Sequence, residues 1–112
     1  MVIRVKKLFL DDIRFPPDDS WEIVRSSKEA IEWLKRNGCP DYMSFDHDLG
    51  GDDTAMDVVH WMINKDLDDE SFLPTTFTFT VHSANPVGRE NIYSLLRRYM
   101  TYKRDAVTME QL

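Results

Sequence analysis

Acidic, imidazole and hydroxyl side chains follow the ends of three short apolar segments of the chain. These residues are Asp11, Asp12, Asp46, His47, Asp48, His82, Ser83 and Asn85. Carboxylates brought close together repel one another, and the pKa of one of them rises unless a cation lies between them. A hard divalent ion binds through one or two carboxylates and keeps waters that a phosphate group can replace. The ligands predicted on this basis, for Mg²⁺ or Mn²⁺, are Asp11, Asp12, Asp46 and Asp48.

Side chains suited to proton transfer and phosphate binding accompany these carboxylates. An imidazole can act as general base for water or as general acid for a leaving oxygen, because its unperturbed pKa is about 6.5. Guanidinium groups match the geometry of phosphate oxygens, and hydroxyl and amide groups can donate hydrogen bonds to the same oxygens. The catalytic candidates are His47, His82, Ser83 and Asn85, and the phosphate-binding candidates are Arg14, Ser83 and Arg89.

Each of these residues also has an ordinary structural explanation that the sequence leaves open. Short carboxylates bond to nearby backbone N–H groups, so the aspartates also suit turns and caps. Either imidazole can be a hydrogen-bonded structural group or a surface residue. Ser83 and Asn85 are common turn residues, and Arg14 and Arg89 can be surface charges.

The charge balance restricts the partners. The 112 residues include 14 Lys and Arg against 20 Asp and Glu, a net charge of −6. This balance argues against a broad basic groove for duplex DNA. The longest apolar runs, such as 8–10, have three residues, so we expect no membrane span and no signal-peptide core. The single cysteine excludes an internal disulfide framework, and we expect a cytoplasmic protein.

The elements that position the candidate residues follow from periodicity and punctuation. Alternating or β-rich segments predict strands at 2–10, 21–25, 42–45 and 75–82. A capping box at Ser26 and Glu29 begins a helix that Asn37 and Gly38 end. Further helices are predicted at 54–64 and around 92–100, with an acidic loop at 66–70 and another loop at 83–88.

The order β, β, α, β, α, β, α predicts an α/β fold with a mostly parallel sheet of about four strands. Right-handed crossovers would place helices on both faces, giving a three-layer sandwich. In such sheets ligands bind at the carboxyl ends of the strands, where the candidate residues would meet. We expect one domain over 1–112, with a core of about 2–102 and a fraying tail at 103–112.

The segments LFLDD, EAIEWLKRNG, SFDHDLGG and VHSAN resemble a response-regulator receiver domain. The resemblance implies a truncated receiver-like, flavodoxin-like fold with strand order 2-1-3-4. It also implies that Asp11, Asp12 and Asp46 bind Mg²⁺ and that Ser83 contacts a phosphoryl oxygen. In this chain FPPDDS replaces the first receiver helix, and too few residues remain for the fifth strand and helix. Lys103 is therefore not expected to act as the receiver lysine.

The motifs LDDIR, DHDLGG and HSANPVGREN are similar to a narrower family, the cyclic-phosphate processing receiver domains of bacteria and phages. The likeness covers roughly residues 8–100 and implies a metal-dependent site for a cyclic nucleotide or an RNA end with a 2′,3′-cyclic phosphate. The leading hypothesis is a small metal-dependent phosphoesterase. The alternative is a non-catalytic module, in which Asp46 accepts a phosphoryl group or the chain sequesters a nucleotide or host protein. An exposed edge at the fourth strand could pair with a second copy or a host protein.

Overall fold

A computed structural model describes residues 5–69 and 71–110. The elements are β1 (Lys7–Leu10), β2 (Trp21–Val24), α1 (Ser27–Asn37), β3 (Tyr42–Phe45), α2 (Met56–Asp69), β4 (Thr78–Val81) and α3 (Pro86–Glu110). The element order is the predicted one, and the α/β class is confirmed. Residues 2–4 of the first predicted strand lie outside the described part.

The four strands form one parallel sheet in the order β2-β1-β3-β4, as predicted. Their last residues are in register, because Leu10 pairs with Phe45 and Phe45 pairs with Val81. Backbone hydrogen bonds continue one residue further, from Asp46 N to the Leu10 carbonyl at 2.8 Å and from His82 N to the Phe45 carbonyl at 2.9 Å. The residues after β1, β3 and β4 therefore lie side by side at the carboxyl edge.

All three helices share one hydrophobic core on one face of the sheet. Every second residue of β1 and β3 belongs to it, whereas Phe9 and Ser44, which face the other way in the pleat, do not. Core members from these strands and from the helices include Leu8, Leu10, Met43, Phe45, Trp33, Leu34, Val59, Met62, Ile92 and Leu96. The prediction of helices on both faces is therefore wrong, since the proline-containing link between β1 and β2 supplies none.

The acidic segment after residue 64 is helical rather than the predicted loop, for α2 continues to Asp69. Asp66 is buried there, and its carboxylate accepts hydrogen bonds from Leu73 N at 2.7 Å and from Lys103 Nζ at 2.8 Å. These two donors from other parts of the chain compensate the buried charge of Asp66 and allow it to lie within a helix. Glu70, the last residue of the predicted loop, lies outside the described part.

The boundaries of β4 and α3 also differ from the predictions. A turn in which Phe77 N donates to the Pro74 carbonyl at 3.0 Å precedes β4, so the strand begins at Thr78. Helix α3 starts at Pro86, inside the predicted loop, because the Asn85 side-chain oxygen accepts from Gly88 N at 3.1 Å and caps the first turn. It continues to Glu110, into the segment 103–112 for which a fraying tail is predicted, and residues 111–112 of that segment lie outside the described part. Among the described helices, none is both long enough and apolar enough to cross a bilayer.

Candidate functional site

Three carboxylates converge at the carboxyl edge of the sheet. One side-chain oxygen from each of Asp11, Asp12 and Asp46 lies within 4.8 Å of the others. Asp11 is fully buried and Asp46 is 7% exposed, while Asp12 is partly exposed. This acidic cluster contains three of the four predicted metal ligands. Hard oxygen donors at this spacing suit a small divalent cation.

Asp11 is held by three nearby donors. Its Oδ1 accepts hydrogen bonds from Ile13 N at 3.0 Å and Arg14 N at 2.8 Å, and its Oδ2 lies 2.9 Å from His82 Nε2. Burial acts to raise the pKa of Asp11, but the two backbone N–H groups and His82 outweigh it, so the pKa is lowered. Asp11 is thus an anion fixed in place by the loop that follows β1.

The pKa of Asp46 is shifted in the opposite direction to that of Asp11. Burial and then the negative charge of Asp11 raise its pKa, although the Ser83 hydroxyl, His82 and Arg14 oppose the rise. Ser83 is itself buried, and its Oγ also accepts from Asn85 N at 3.1 Å. A positive charge beside Asp46 would relieve this repulsion, which is the electrostatic signature of a cation site.

His82 is bonded through both of its ring nitrogens. Nε2 contacts Asp11 Oδ2, and Nδ1 lies 2.7 Å from Ser44 Oγ. The ring stacks on Phe9 with centroids 4.4 Å apart, and Thr80 Oγ1 donates to Ser44 Oγ at 3.0 Å. Because an ionised carboxylate only accepts, Nε2 is the donor in the contact with Asp11 Oδ2. His82 therefore orients Asp11, in the manner of second-layer groups around metal ligands.

Three further residues around His82, which are Ser44, Thr80 and Phe9, were not predicted from the sequence. A signal for them exists, because side chains two residues apart on a strand share a face. Thr80 precedes His82 by two positions, and Ser44 and Phe9 are in register with Thr80 across the sheet. A row of hydroxyls on the face that reaches His82 could have been identified from this spacing.

His47 and Asp48 form a second polar group beside the acidic cluster. His47 Nδ1 lies 3.0 Å from Asp48 Oδ1, and the Asn85 amide donates to Asp48 Oδ2 at 3.2 Å. These two contacts, that of His47 first, lower the pKa of Asp48. Asp48, predicted as a fourth metal ligand, lies outside the three-carboxylate cluster. Within the described part of the chain, no side-chain or backbone group forms a hydrogen bond with His47 Nε2.

Gly88 in the first turn of α3 packs against the imidazole of His47. A Cβ atom at position 88 would lie 2.3 Å from His47 Cγ and 2.6 Å from Nδ1, too close for any side chain. Asn85 positions this turn by accepting from Gly88 N while its amide holds Asp48. The helix start and the His47–Asp48 pair are thus built together. The sequence analysis assigned Gly88 only to a loop.

The two predicted phosphate-binding arginines occupy different places. Arg14 lies at the acidic cluster, with Nη1 donating to the His82 carbonyl at 3.2 Å and Nε 3.9 Å from Asp11 Oδ2. Its side chain remains 49% exposed, so it can turn towards a ligand. Arg89 is exposed and lines a shallow groove of about 350 Å³ between β4 and α3, together with Phe79 and Thr80. Of the two, Arg14 is the one beside the carboxylates.

Lys103 is far from the acidic cluster, in agreement with the expectation that it does not replace the receiver lysine. Its Nζ contacts Asp66 Oδ1 at 2.8 Å and also donates to the Leu73 carbonyl. Helix α2 runs antiparallel to the strands that it connects, so its last turns lie at the amino edge of the sheet. This end of the molecule is opposite the candidate site.

Comparison with known proteins agrees with this geometry. No curated protein and no solved structure matches the chain. A family model described as "Cyclic-phosphate processing Receiver domain" matches residues 6–98. The matched stretch contains the acidic cluster, the His47–Asp48 pair and the first turns of α3. The chain therefore belongs to the family of cyclic-phosphate processing receiver domains.

Proposed function

We propose that the protein is a metal-dependent phosphoesterase that opens a cyclic phosphodiester, either a cyclic nucleotide or a 2′,3′-cyclic phosphate end of RNA. The observation that carries the proposal is the convergence of three carboxylates within 4.8 Å at the carboxyl edge of the sheet. Ligands of open parallel sheets bind at this edge. The family description supports a cyclic phosphate as the substrate.

The residues present fit a small divalent cation. Asp11, Asp12 and Asp46 offer hard oxygen donors, and burial followed by repulsion from Asp11 raises the pKa of Asp46. Mg²⁺ or Mn²⁺ held there would supply Lewis acidity to a phosphoryl oxygen. His82 and Ser83 would keep Asp11 and Asp46 in their ligating orientations through the hydrogen bonds described above.

In this proposal His47 is the general base. Asp48 Oδ1 accepts a hydrogen bond from the N–H group at Nδ1. Nε2 is then the nitrogen that takes a proton from the attacking water. The water oxygen bonds to phosphorus and one ring P–O bond breaks. The departing sugar oxygen takes a proton from a solvent water, and His47 releases its proton to solvent. The product is a phosphate monoester with a free hydroxyl. Arg14 pairs with a non-bridging phosphate oxygen, since its guanidinium is half exposed beside the cluster.

A turnover assay tests the proposal. Purified protein is incubated with nucleoside 2′,3′-cyclic phosphates, 3′,5′-cyclic nucleotides and RNA with a cyclic-phosphate end, with Mg²⁺, with Mn²⁺ or with EDTA. We expect monoester product that disappears with EDTA. Asp46→Asn should lower turnover by about a thousandfold or more, because it disables the metal site. His47→Ala should lower it by about a hundredfold, the usual effect of losing a general base.

His60→Ala is the matched control, because His60 is exposed on α2 and should leave turnover unchanged. Circular dichroism of each variant checks that the fold is kept. Wild-type turnover by Asp46→Asn would contradict the assigned metal site. A stable acylphosphate at Asp46 after treatment with a small phosphoryl donor, or nucleotide binding without product, would instead support the non-catalytic alternative.

A further inference from the structure

Exposed apolar side chains flank the acidic cluster. Ile13 and Phe15, in the loop after β1, are 74% and 77% exposed. Val87, in the first turn of α3, is 69% exposed on the other flank. Single exposed apolar residues are ordinary, but these three belong to the two segments that carry Asp11 and the first turn of α3.

The loop that carries Phe15 is rigidly attached to the acidic cluster. Ile13 N and Arg14 N both donate to Asp11 Oδ1. On the other side, Arg25 Nη1 donates to the Asp11 carbonyl at 2.9 Å and to the Arg14 carbonyl at 2.5 Å. Pro16 follows and fixes its own φ angle. Phe15 is therefore held in position although it is exposed.

One face of the Phe15 ring is already occupied. The Arg25 guanidinium carbon lies 4.9 Å from the ring centroid, within the range of a cation–π contact. The exposed fraction of 77% shows that the opposite face is open to solvent. A fixed aromatic ring with one open face is what proteins use to stack a base of single-stranded nucleic acid.

We propose that Phe15, supported by Arg25, stacks the base of the substrate, with Ile13 as an apolar neighbour. The substrate class is then nucleotides with a cyclic phosphate, including RNA ends, and not base-free cyclic phosphates. A nucleotide joins an anionic phosphate to a planar base, and Arg14 lies in the chain between the cluster and Phe15. Binding of the cyclic phosphate at the acidic cluster rests on the proposed function. Stacking of the base rests on the positions of Phe15 and Arg25.

Substrates with and without a base test the assignment. We expect Phe15→Ala to lower kcat/KM for uridine and adenosine 2′,3′-cyclic phosphates about tenfold, the size of one lost base–aromatic stack. The same variant should change kcat/KM for glycerol 1,2-cyclic phosphate less than about twofold, because this substrate has no base to stack. Phe15→Trp should retain nucleotide turnover, because indole also stacks. Tyr93→Ala is the matched control, because Tyr93 is exposed and pairs with Arg97 away from the cluster.

A binding measurement separates this inference from the proposed function. Adenosine 2′,3′-cyclic phosphate is titrated by calorimetry into wild type and Phe15→Ala with Mg²⁺ present. If turnover is absent but Phe15→Ala still weakens binding about tenfold, the phosphoesterase proposal fails and the base site stands. If Phe15→Ala changes nucleotide and glycerol substrates equally, or leaves nucleotide binding intact, the base site is overturned. If wild type neither binds nor turns over nucleotides, both proposals are wrong.

Discussion

Two aspartates of the chain, Asp46 and Asp66, are both buried but have opposite surroundings. Asp66 is 1% exposed near the end of α2, and its carboxylate accepts from Leu73 N, Tyr99 and Lys103. Burial acts to raise its pKa, but Lys103 and Tyr99 outweigh it, so the pKa is lowered. Asp46 lies beside Asp11, and its pKa is raised.

The difference teaches that the partners of a buried charge, and not its burial, indicate its role. A buried charge needs a counter-charge and hydrogen-bond donors, and Asp66 obtains both from the protein itself. At the acidic cluster, three carboxylates face the half-exposed Arg14 and His82, so negative charge remains in excess, which is typical of a functional site. Asp66 is thus a structural charge, and Asp46 is a candidate ligand.

The largest expected effect on stability is from Asp66→Asn. The change removes a buried negative charge that is ion-paired to Lys103 and accepts from Tyr99, so we expect a loss of about 3 kcal/mol in the free energy of unfolding at pH 7. Because the folded-state pKa of Asp66 is lowered, its contribution is fully present above the unfolded value near 4 and fades as the pH falls through the folded value. Urea unfolding from pH 7 to pH 3 measures the narrowing difference between wild type and variant.

Turnover per folded Asp66→Asn molecule should equal that of the wild type, because Asp66 lies at the opposite end of the molecule. A variant that is as stable as wild type would show that Asp66 is not a structural charge. The comparison between the two aspartates would then fail.

The next effect in size concerns Asp46→Asn. Without metal, the neutral amide removes the repulsion from Asp11, so the variant should melt at a higher temperature than wild type. With Mg²⁺ at about one hundred times its Kd, wild type should gain about 2.7 kcal/mol, and the variant should gain far less. Thermal melts with Mg²⁺ and with EDTA measure both differences. A variant that is destabilised without metal would show that Asp46 is satisfied like Asp66.

The smallest effect is predicted for Ser44→Ala, which removes the hydroxyl that contacts His82 Nδ1. Since outer groups of this kind tune metal affinity, we expect Mg²⁺ to bind about tenfold more weakly by calorimetry. Thr78→Ala is the matched control, because Thr78 is an exposed residue on the same sheet face and bonds to the Asp41 carbonyl. Equal affinities in the two variants would mean that His82 does not transmit the change to Asp11.

The meeting of Asp11, Asp46 and His82 could be predicted from sequence, because the carboxyl ends of parallel strands form one edge. The side of the sheet on which the helices lie could not be predicted from sequence, because the apolar stripe of a helix does not indicate which sheet face it packs against. The partners of Asp66 were also inaccessible, because Tyr99 and Lys103 follow it by 33 and 37 residues. The strict alternation over 75–82 predicted a strand that is too long, because a turn after Pro74 precedes β4 and the strand begins only at Thr78.

The contact between Gly88 and His47 has a mechanical consequence. The backbone of α3 touches the imidazole directly, and no intervening side chain can absorb a change in the tilt of the helix. A change in the tilt of this 25-residue helix at its first turn would therefore require the His47 ring to move with it. The orientation of the proposed general base is thus fixed in part by backbone packing and not only by its hydrogen bond to Asp48.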